Sequence, residues 1–177
     1  MRFLLPLLFL VALVFGASHA SAIIYWAMGP WSAVGFEQDG SQTRMQFGQN
    51  LPRPEWVALY PGASVVTGSR LTSQRQPSGF HALEMSTRAS LGEVTRFYTE
   101  RLTRDGFAVE DLGIAPLNPA TAAYLGIAGT LAGRRAATDD LITIQIRTAD
   151  GLLSSRLLQI HWMKISEYPQ HAQAATP

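Results

Sequence analysis

The stretch LITIQIRT, from Leu141 to Thr148, decides the fold class because its apolar and polar residues alternate. Successive side chains of an extended chain point to opposite faces, so the three isoleucines share one face and the polar residues share the other. Isoleucine also favours strands, since its branched β-carbon packs well on a pleated surface. The pattern predicts an antiparallel strand with one buried face and one solvated face.

Further strand patterns flank this stretch on both sides. The runs Thr130 to Ala136 and Ser154 to Ile165 complete a meander of three strands. In the last strand, alternation places Leu158, Ile160 and Trp162 together on the core side.

An earlier pair of strands is predicted around the segment SQRQPSG. Pro61-Gly62 forms a type II turn ahead of them, since proline presets φ at the second turn position and glycine accepts positive φ at the third. The turn leads into a strand containing Val65 and Val66, and Gly79 to Thr87 forms the next strand. We expect these two strands to pair as a hairpin.

The clearest helix begins after Ser90. Ser90 and Glu93 form a capping-box pair, and Gly106 stands where a cap glycine ends a helix. Between them the apolar residues that recur at helical spacing are Leu91, Val94, Phe97, Tyr98 and Leu102. This pattern predicts one amphipathic helix packed on a sheet. A short strand from Phe107 to Leu112 and a short helix capped by Asn118 follow it.

The order of these elements predicts the fold class. It is α+β: a two-layer sandwich whose mostly antiparallel sheet has one main amphipathic helix packed on one face. We place this domain at residues 55–165. Residues 23–54 form an amino-terminal extension and linker, in which Val34 to Phe47 has the pattern of a hairpin around Asp39-Gly40. Residues 166–177 lack apolar periodicity and are predicted to be a disordered tail.

The amino-terminal end has the pattern of a secretory signal. Arg2 is positive, the run FLLPLLFLVALVF is apolar, and Ala20-Ser21-Ala22 fits a cleavage site. We predict a signal peptide at residues 1–22; the alternative is a retained membrane anchor, because IIYWAM continues the apolar run. Both predictions export the domain. We expect a periplasmic or secreted protein, with anchoring in the inner membrane and the domain on the outer side as the alternative.

Composition excludes several classes of function. The chain has 177 residues and no cysteine, which excludes disulfides, thiolate metal sites and a cysteine nucleophile. Its 14 basic and 13 acidic side chains give a formal net charge of +1, which offers no concentrated basic footprint for nucleic acid. The motifs of phosphate-binding loops, serine hydrolases and zinc proteases do not occur. We expect no cofactor and no nucleic-acid partner.

Some of these residues resemble a group of small exported bacterial α+β domains of uncharacterised function. In that group a YPGA turn precedes the first strand, and an FY…L…GF helix and a β-meander follow. The matching residues here are Tyr60-Pro61-Gly62-Ala63, Thr87, Phe97-Tyr98, Leu102 and Gly106-Phe107. The resemblance extends from about Ala58 to Ile165. It implies an architecture and brings no catalytic residues.

Two histidines and a glutamate form the candidate polar site. His81 and His161 lie on predicted strands, and with Glu84 they are a candidate metal or acid–base site. The alternative is two independent, half-exposed strand residues, since two histidines fall short of the three ligands of a catalytic zinc. The acidic pairs Glu110-Asp111 and Asp139-Asp140 are expected at solvated loop ends.

Basic residues on the three carboxy-terminal strands are the candidate face for an anionic partner, such as a lipid headgroup or a polysaccharide. They are Arg134, Arg135, Arg147, Arg156 and Lys164. The alternative is that these charges serve solubility, because alternation alone does not assign each side chain to a face.

Together these observations favour an exported, non-enzymatic envelope accessory or binding domain. Its partner is expected to be an envelope protein or an anionic envelope component. Two alternatives stay open: a membrane-tethered small subunit of a larger membrane complex, and an enzyme of unrecognised type. The enzyme alternative needs convergent polar groups in a pocket.

Overall fold

The computed structural model describes five stretches of the chain: residues 30–36, 40–74, 76–114, 118–148 and 155–167. The predicted signal peptide at residues 1–22 lies outside them, and so does the predicted tail beyond residue 167. Within the described stretches, no helix combines the length and the apolar character that crossing a membrane requires.

The described chain forms one eight-stranded antiparallel sheet. Its strands are β1 (Trp31–Phe36), β2 (Gln42–Phe47), β3 (Ser64–Ser73), β4 (Phe80–Thr87), β5 (Ala108–Gly113), β6 (Ile127–Arg135), β7 (Asp140–Arg147) and β8 (Arg156–Lys164). Their order across the sheet is β1-β2-β3-β4-β8-β7-β6-β5. The last strand of the chain therefore lies in the middle of the sheet, between β4 and β7.

The pairing of β4 with β8 joins two consecutively paired halves into one sheet. Strands β1 to β4 pair in chain order, and so do β5 to β8. In the pair that joins the halves, His81 lies opposite Trp162 and Ser86 lies opposite Leu157. Residues far apart in the chain are thereby brought side by side.

Within the described residues, two α-helices lie between strands: α1 (Leu91–Arg104) and α2 (Pro119–Leu125). The predicted capping box of α1 is confirmed, because Ser90 Oγ accepts from the Glu93 amide at 3.3 Å and the Glu93 carboxylate accepts from the Ser90 amide at 2.8 Å. The predicted cap of α2 is confirmed as well, since the side chain of Asn118 accepts a hydrogen bond from a backbone amide in the first turn of α2.

The predicted α+β sandwich is wrong, because the described chain is mostly β. Eight strands about 4.8 Å apart form a sheet roughly 34 Å wide, whereas a helix with its side chains is about 10 Å across. Helix α1 has 14 residues and lies near β5 and β6, at one side of the sheet. One helix of that size does not make a second layer, so the sheet defines the fold.

Strands β1 and β2 lie within the extension predicted at residues 23–54, yet they belong to the same sheet as the rest. The predicted hairpin is confirmed as β1 paired with β2, and β2 pairs onward with β3, with Phe47 opposite Ser69. The sequence pattern concealed this membership because both strands are short and largely exposed. No buried apolar face marks them as part of a domain.

The hydrophobic core lies on the sheet face that carries the isoleucines of β7, which we call the core face. Ile142, Ile144 and Ile146 are buried there, as the alternation predicts. Further core members are Leu83, Met85, Leu131, Leu158, Ile160 and Trp162 from strands and Val94, Tyr98 and Leu102 from α1. Burying an aliphatic side chain of this size contributes about 2 kcal/mol, so this face supplies the main stabilisation. We call the opposite side of the sheet the far face.

Candidate functional site

The register of β4 and β8 separates the three residues of the candidate polar site. His81 lies on the core face, whereas Ala82 is opposite His161 on the far face. Glu84, opposite Gln159, also lies on the far face. The structure brings Glu84 and His161 to one face and leaves His81 on the other. Among the described residues, no three histidine or acidic side chains are placed to hold a metal ion.

Glu84 belongs to a polar row that crosses the far face. The row consists of cross-strand partners on five neighbouring strands: Thr67, Glu84, Gln159, Gln145 and Thr130. Glu84 is 9% exposed, and its Oε1 accepts a hydrogen bond from Gln159 Nε2 at 2.6 Å. Burying a polar group without a partner costs free energy, and the cross-strand bond lowers that cost for Glu84.

His161 is half-buried on the far face beside this row. Its ring stacks on Phe80, with ring centroids 5.5 Å apart. Its Nδ1 is buried and has no hydrogen-bond partner in the part of the chain that the structure describes. Burial lowers the pKa of His161 below the ordinary value of 6.5. The ring is therefore uncharged at neutral pH.

The five candidate basic residues are divided between the two sides of the sheet. Arg134 and Arg147 lie on the far face, and Arg135, Arg156 and Lys164 lie on the core-face side. Alternation along a strand requires this, since Arg134 and Arg135 are neighbours on β6. These residues therefore do not present one continuous basic face.

Three of the predicted site residues, His81, Arg135 and Lys164, lie together at a groove where β4 begins and β8 ends. The groove has a volume of about 290 Å³. Its aromatic and charged lining side chains are Trp56, His81, Arg135, Asp140, Trp162 and Lys164. We call it the Trp56 groove. It combines aromatic rings with a few charged groups, as small-molecule sites do.

Trp56 reaches the groove because the loop before β3 is fixed against the sheet. Gly48 and Gly68 exchange two backbone hydrogen bonds, of 3.0 and 2.9 Å. A Cβ on Gly68 would lie 2.9 Å from the carbonyl oxygen of Gly48, so the close approach requires glycine. Val57 is buried in the core, and the indole of Trp56 packs on Phe107 with ring centroids 5.1 Å apart.

A buried carboxylate organises the charged side of the groove. Asp140 accepts hydrogen bonds from Arg135 Nη2, from Thr138 Oγ1 and, at 2.7 Å, from Lys164 Nζ. Burial by itself would raise the pKa of Asp140, but the hydrogen bonds from Lys164, Thr138 and Arg135 and the charge of Lys164 hold the pKa below its ordinary value of 3.8. Asp140 is therefore ionised at neutral pH.

The expectation of a solvated loop end is wrong for Asp140. Asp140 is the first residue of β7, where it lies opposite both Arg135 and Lys164. Its two cross-strand neighbours are cations on the same face, which explains how a buried charge is accommodated there.

Arg135 connects this carboxylate to the aromatic rings. Its guanidinium carbon lies 5.3 Å from the ring centroid of Trp56 and 4.8 Å from that of Phe107. Nε donates to Thr138 Oγ1 at 2.7 Å, and Nη1 donates to the carbonyl oxygen of Asp105 at 3.4 Å. The planar guanidinium is thus held in one orientation over two aromatic rings.

His81 forms another wall of the groove. Its ring stacks on Trp162, with centroids 4.8 Å apart and planes 14° apart. Nε2 lies 2.8 Å from the carbonyl oxygen of Ser78, and because a carbonyl only accepts, Nε2 carries the proton. Burial lowers the pKa of His81 below 6.5 and outweighs the bond to Ser78, which raises the pKa. The ring is uncharged at neutral pH.

The charged side chains of the groove differ in their solvent exposure. The side chain of Asp140 is 8% exposed, that of Arg135 is 21% exposed and that of Lys164 is 35% exposed. The carboxylate is inside and the cations are outside. This arrangement can hold a ligand by charge and by stacking.

Sequence reasoning named His81, Arg135 and Lys164 but did not place Trp56 or Asp140 in a site with them. The pairing of Arg135 with Asp140 could have been predicted from the sequence. The two residues flank the turn AATD, and a β6–β7 hairpin places the residues on either side of its turn opposite each other. Trp56 left no such signal, because it comes from a loop whose path depends on tertiary contacts.

Comparison of the chain with protein-family models, with curated proteins and with solved structures finds no match. The resemblance to exported bacterial domains with a YPGA turn therefore stays a prediction.

Proposed function

We propose that the chain is an exported, non-catalytic binding domain that holds its ligand in the Trp56 groove. The observation that carries the proposal is the groove itself, where aromatic rings and oriented charges meet around about 290 Å³. Ligand sites typically combine an apolar wall with a few placed polar groups.

The sheet supports binding because it fixes the groove in advance. The groove is built from the loop before β3, the start of β4, the β6–β7 turn and the end of β8. Strands β4, β6, β7 and β8 are each paired on both sides. A site held by such strands loses little conformational freedom when a ligand binds, so less of the interaction energy is spent on ordering.

The sequence supports an envelope location for this domain. The secretory pattern at residues 1–22 directs the chain out of the cytoplasm, to the periplasm or the medium. The ligand or partner is then a component of the envelope, either an anionic molecule or a protein.

A fragment screen followed by NMR tests this function. The protein, purified from the envelope fraction, is mixed with small aromatic and sugar fragments while the indole signal of Trp56 and the amide signals of residues 78–81 and 162–164 are followed. We expect a subset of fragments to shift these signals together.

A matched pair of tryptophan variants controls the screen. Trp56→Ala is expected to weaken the binding of the selected fragments at least tenfold, because it removes a wall of the groove. Trp31→Ala is the control, since Trp31 stacks on Phe47 in the β1–β2 hairpin, with centroids 4.5 Å apart. Fragments that bind Trp56→Ala as well as the unmodified protein would contradict the proposal.

A membrane-tethered small subunit of a larger complex is the second candidate, and one observation favours it. The edge strand β1 exposes Phe36 at 74% and Val34 at 47%, and its residues carry no charge. Apolar sheet edges of this kind pair readily with other chains. The intact mass of the protein from cells distinguishes the two candidates, because loss of residues 1–22 would exclude a tether.

A further inference from the structure

We infer that the Trp56 groove takes a small organic monoanion, a carboxylate on a flat apolar body. The inference rests on the proposed function and specifies its ligand class. The volume of about 290 Å³ lies just below the roughly 300–1,000 Å³ of drug-sized ligand sites. A body of about one aromatic ring with a short carboxylate arm matches that size.

The sign of the ligand follows from the charges that remain accessible. Asp140 is enclosed by three donor side chains, so an external cation cannot reach its carboxylate without displacing them. Lys164 and Arg135 are more exposed and keep donor capacity. The bonds of Lys164 to Asp140 and to the carbonyl of Thr138 use two of the three ammonium donors.

The charges around the groove leave an excess of positive charge. The charged side chains that line it are two cations, Arg135 and Lys164, and one anion, Asp140. Asp139 does not line the groove, and its carboxylate accepts the Ser166 amide at 2.6 Å. With His81 uncharged, two cations stand against one anion. A single negative charge on the ligand completes the balance.

The apolar body follows from the walls beside these cations. Trp56, Pro54 and Met163 line the same groove. The guanidinium of Arg135 already lies over the indole of Trp56, so a carboxylate bound at Arg135 places its attached ring next to that indole. Aromatic rings gain from offset or edge contacts in addition to burial. A flat ligand therefore uses both features at once.

Three probes of nearly equal shape and different charge test the inference: benzoate, benzamide and benzylamine. Each is titrated into the unmodified protein at pH 7 and low salt, and binding is followed by the amide signals of the groove. We expect benzoate to bind at least ten times more tightly than benzamide, and benzylamine to bind most weakly. Raising the salt concentration is expected to reduce the preference for benzoate, because salt screens the exposed cations.

A matched pair of charge variants locates the effect. Lys164→Gln is expected to reduce the preference for benzoate at least threefold, whereas Arg96→Gln, an equal change of charge on the exposed surface of α1, is expected to preserve it. The comparison of probes on the unmodified protein stands even where Lys164→Gln lowers stability.

The outcomes separate this inference from the proposed function. Equal binding of benzoate and benzamide at the groove would overturn the inference that the ligand is an anion. It would still support the groove as a binding site. Absence of benzoate binding, when other fragments bind at the groove, overturns the inference in the same way. Absence of binding at the groove by these probes and by the whole fragment set overturns both.

Discussion

At the scale of single residues, Asp140 shows how one buried carboxylate can organise a surface groove. It holds Arg135 against the rings of Trp56 and Phe107, and it holds Lys164 beside them. Removing its charge leaves two cations close together without the anion between them. Because the donors were arranged around an ionised carboxylate, their positions depend on it.

Asp140→Asn is therefore expected to lower the free energy of unfolding by about 2 kcal/mol, measured by urea denaturation at pH 7. Glu110→Gln is the control: Glu110 is an exposed acid on β5, and its replacement should change stability by less than about 0.5 kcal/mol. Equal effects of the two substitutions would contradict the structural role of Asp140.

The pH dependence of stability near pH 4 tests the same residue. Because the pKa of Asp140 is lowered by folding, its stabilisation is complete above the unfolded value of about 3.8 and is lost as the pH falls through the lower folded value. Asp140→Asn should flatten the decline in stability below pH 4. A decline as steep as that of the unmodified protein would show that other carboxylates cause it.

His161 gives a second pH dependence, at higher pH. Its folded pKa lies below 6.5 because of burial, so the unfolded chain binds the proton more readily. The contribution of uncharged His161 to the free energy of unfolding is therefore fully present above pH 6.5. It is expected to be lost as the pH drops toward the pKa of His161 in the folded protein. His161→Phe keeps the stack on Phe80 and should reduce the loss of stability between pH 7.5 and 5.5. An unchanged loss would assign it to His81 or to other groups.

At the scale of elements, β6 and β7 pack closely because β6 has a glycine, Gly133, opposite Ile142. A Cβ on Gly133 would lie 2.9 Å from Ile142 Cγ2 and 3.5 Å from Leu102 Cδ1. The first distance is a clash with the neighbouring strand, and the second is contact with the helix. The side chain of Ile142 can pack this closely on β6 only while position 133 has no side chain.

Gly133→Ala is expected to lower the free energy of unfolding by about 1–3 kcal/mol, because it overpacks the core. Gly35→Ala provides a matched control, since a Cβ at that position on β1 meets no atom within 4 Å. Thermal and urea unfolding of the two variants compare the sites directly. A loss of stability in Gly35→Ala as large as in Gly133→Ala would contradict the packing described here.

The elements that sequence reasoning predicted well are those that local residues determine. Ser90 and Glu93 cap α1, Asn118 caps α2, and the isoleucines of β7 are buried. In each case the determining contacts lie within a few residues along the chain, so the local pattern carries the information. The hairpins also followed from local turns.

At the scale of the whole molecule, the fold class and the site depended on pairings that sequence patterns do not contain. The width of the sheet comes from β1 and β2 joining it and from β8 inserting beside β4. Because β8 pairs with β4 in this register, the ring of His81 stacks on Trp162 at the Trp56 groove, whereas His161 lies on the far face. A residue-by-residue search could name His81 and His161 but could not tell that they lie on opposite sides.

The wall of the Trp56 groove that His81 forms depends on β4 pairing with β8, and a cysteine cross-link tests that pairing most directly. The chain has no cysteine, so an introduced pair is unambiguous. Ser86→Cys with Leu157→Cys joins residues that lie directly opposite each other, at a Cα separation suited to a disulfide. Ser86→Cys with Met163→Cys is the control, because Met163 lies six residues further along β8, roughly 20 Å away.

Mild oxidation of the folded protein, followed by mass spectrometry, is the measurement. We predict a rapid intramolecular disulfide in the first variant and none in the second. A first variant that stays reduced, or two variants that cross-link equally, would contradict the single sheet and the groove that it builds.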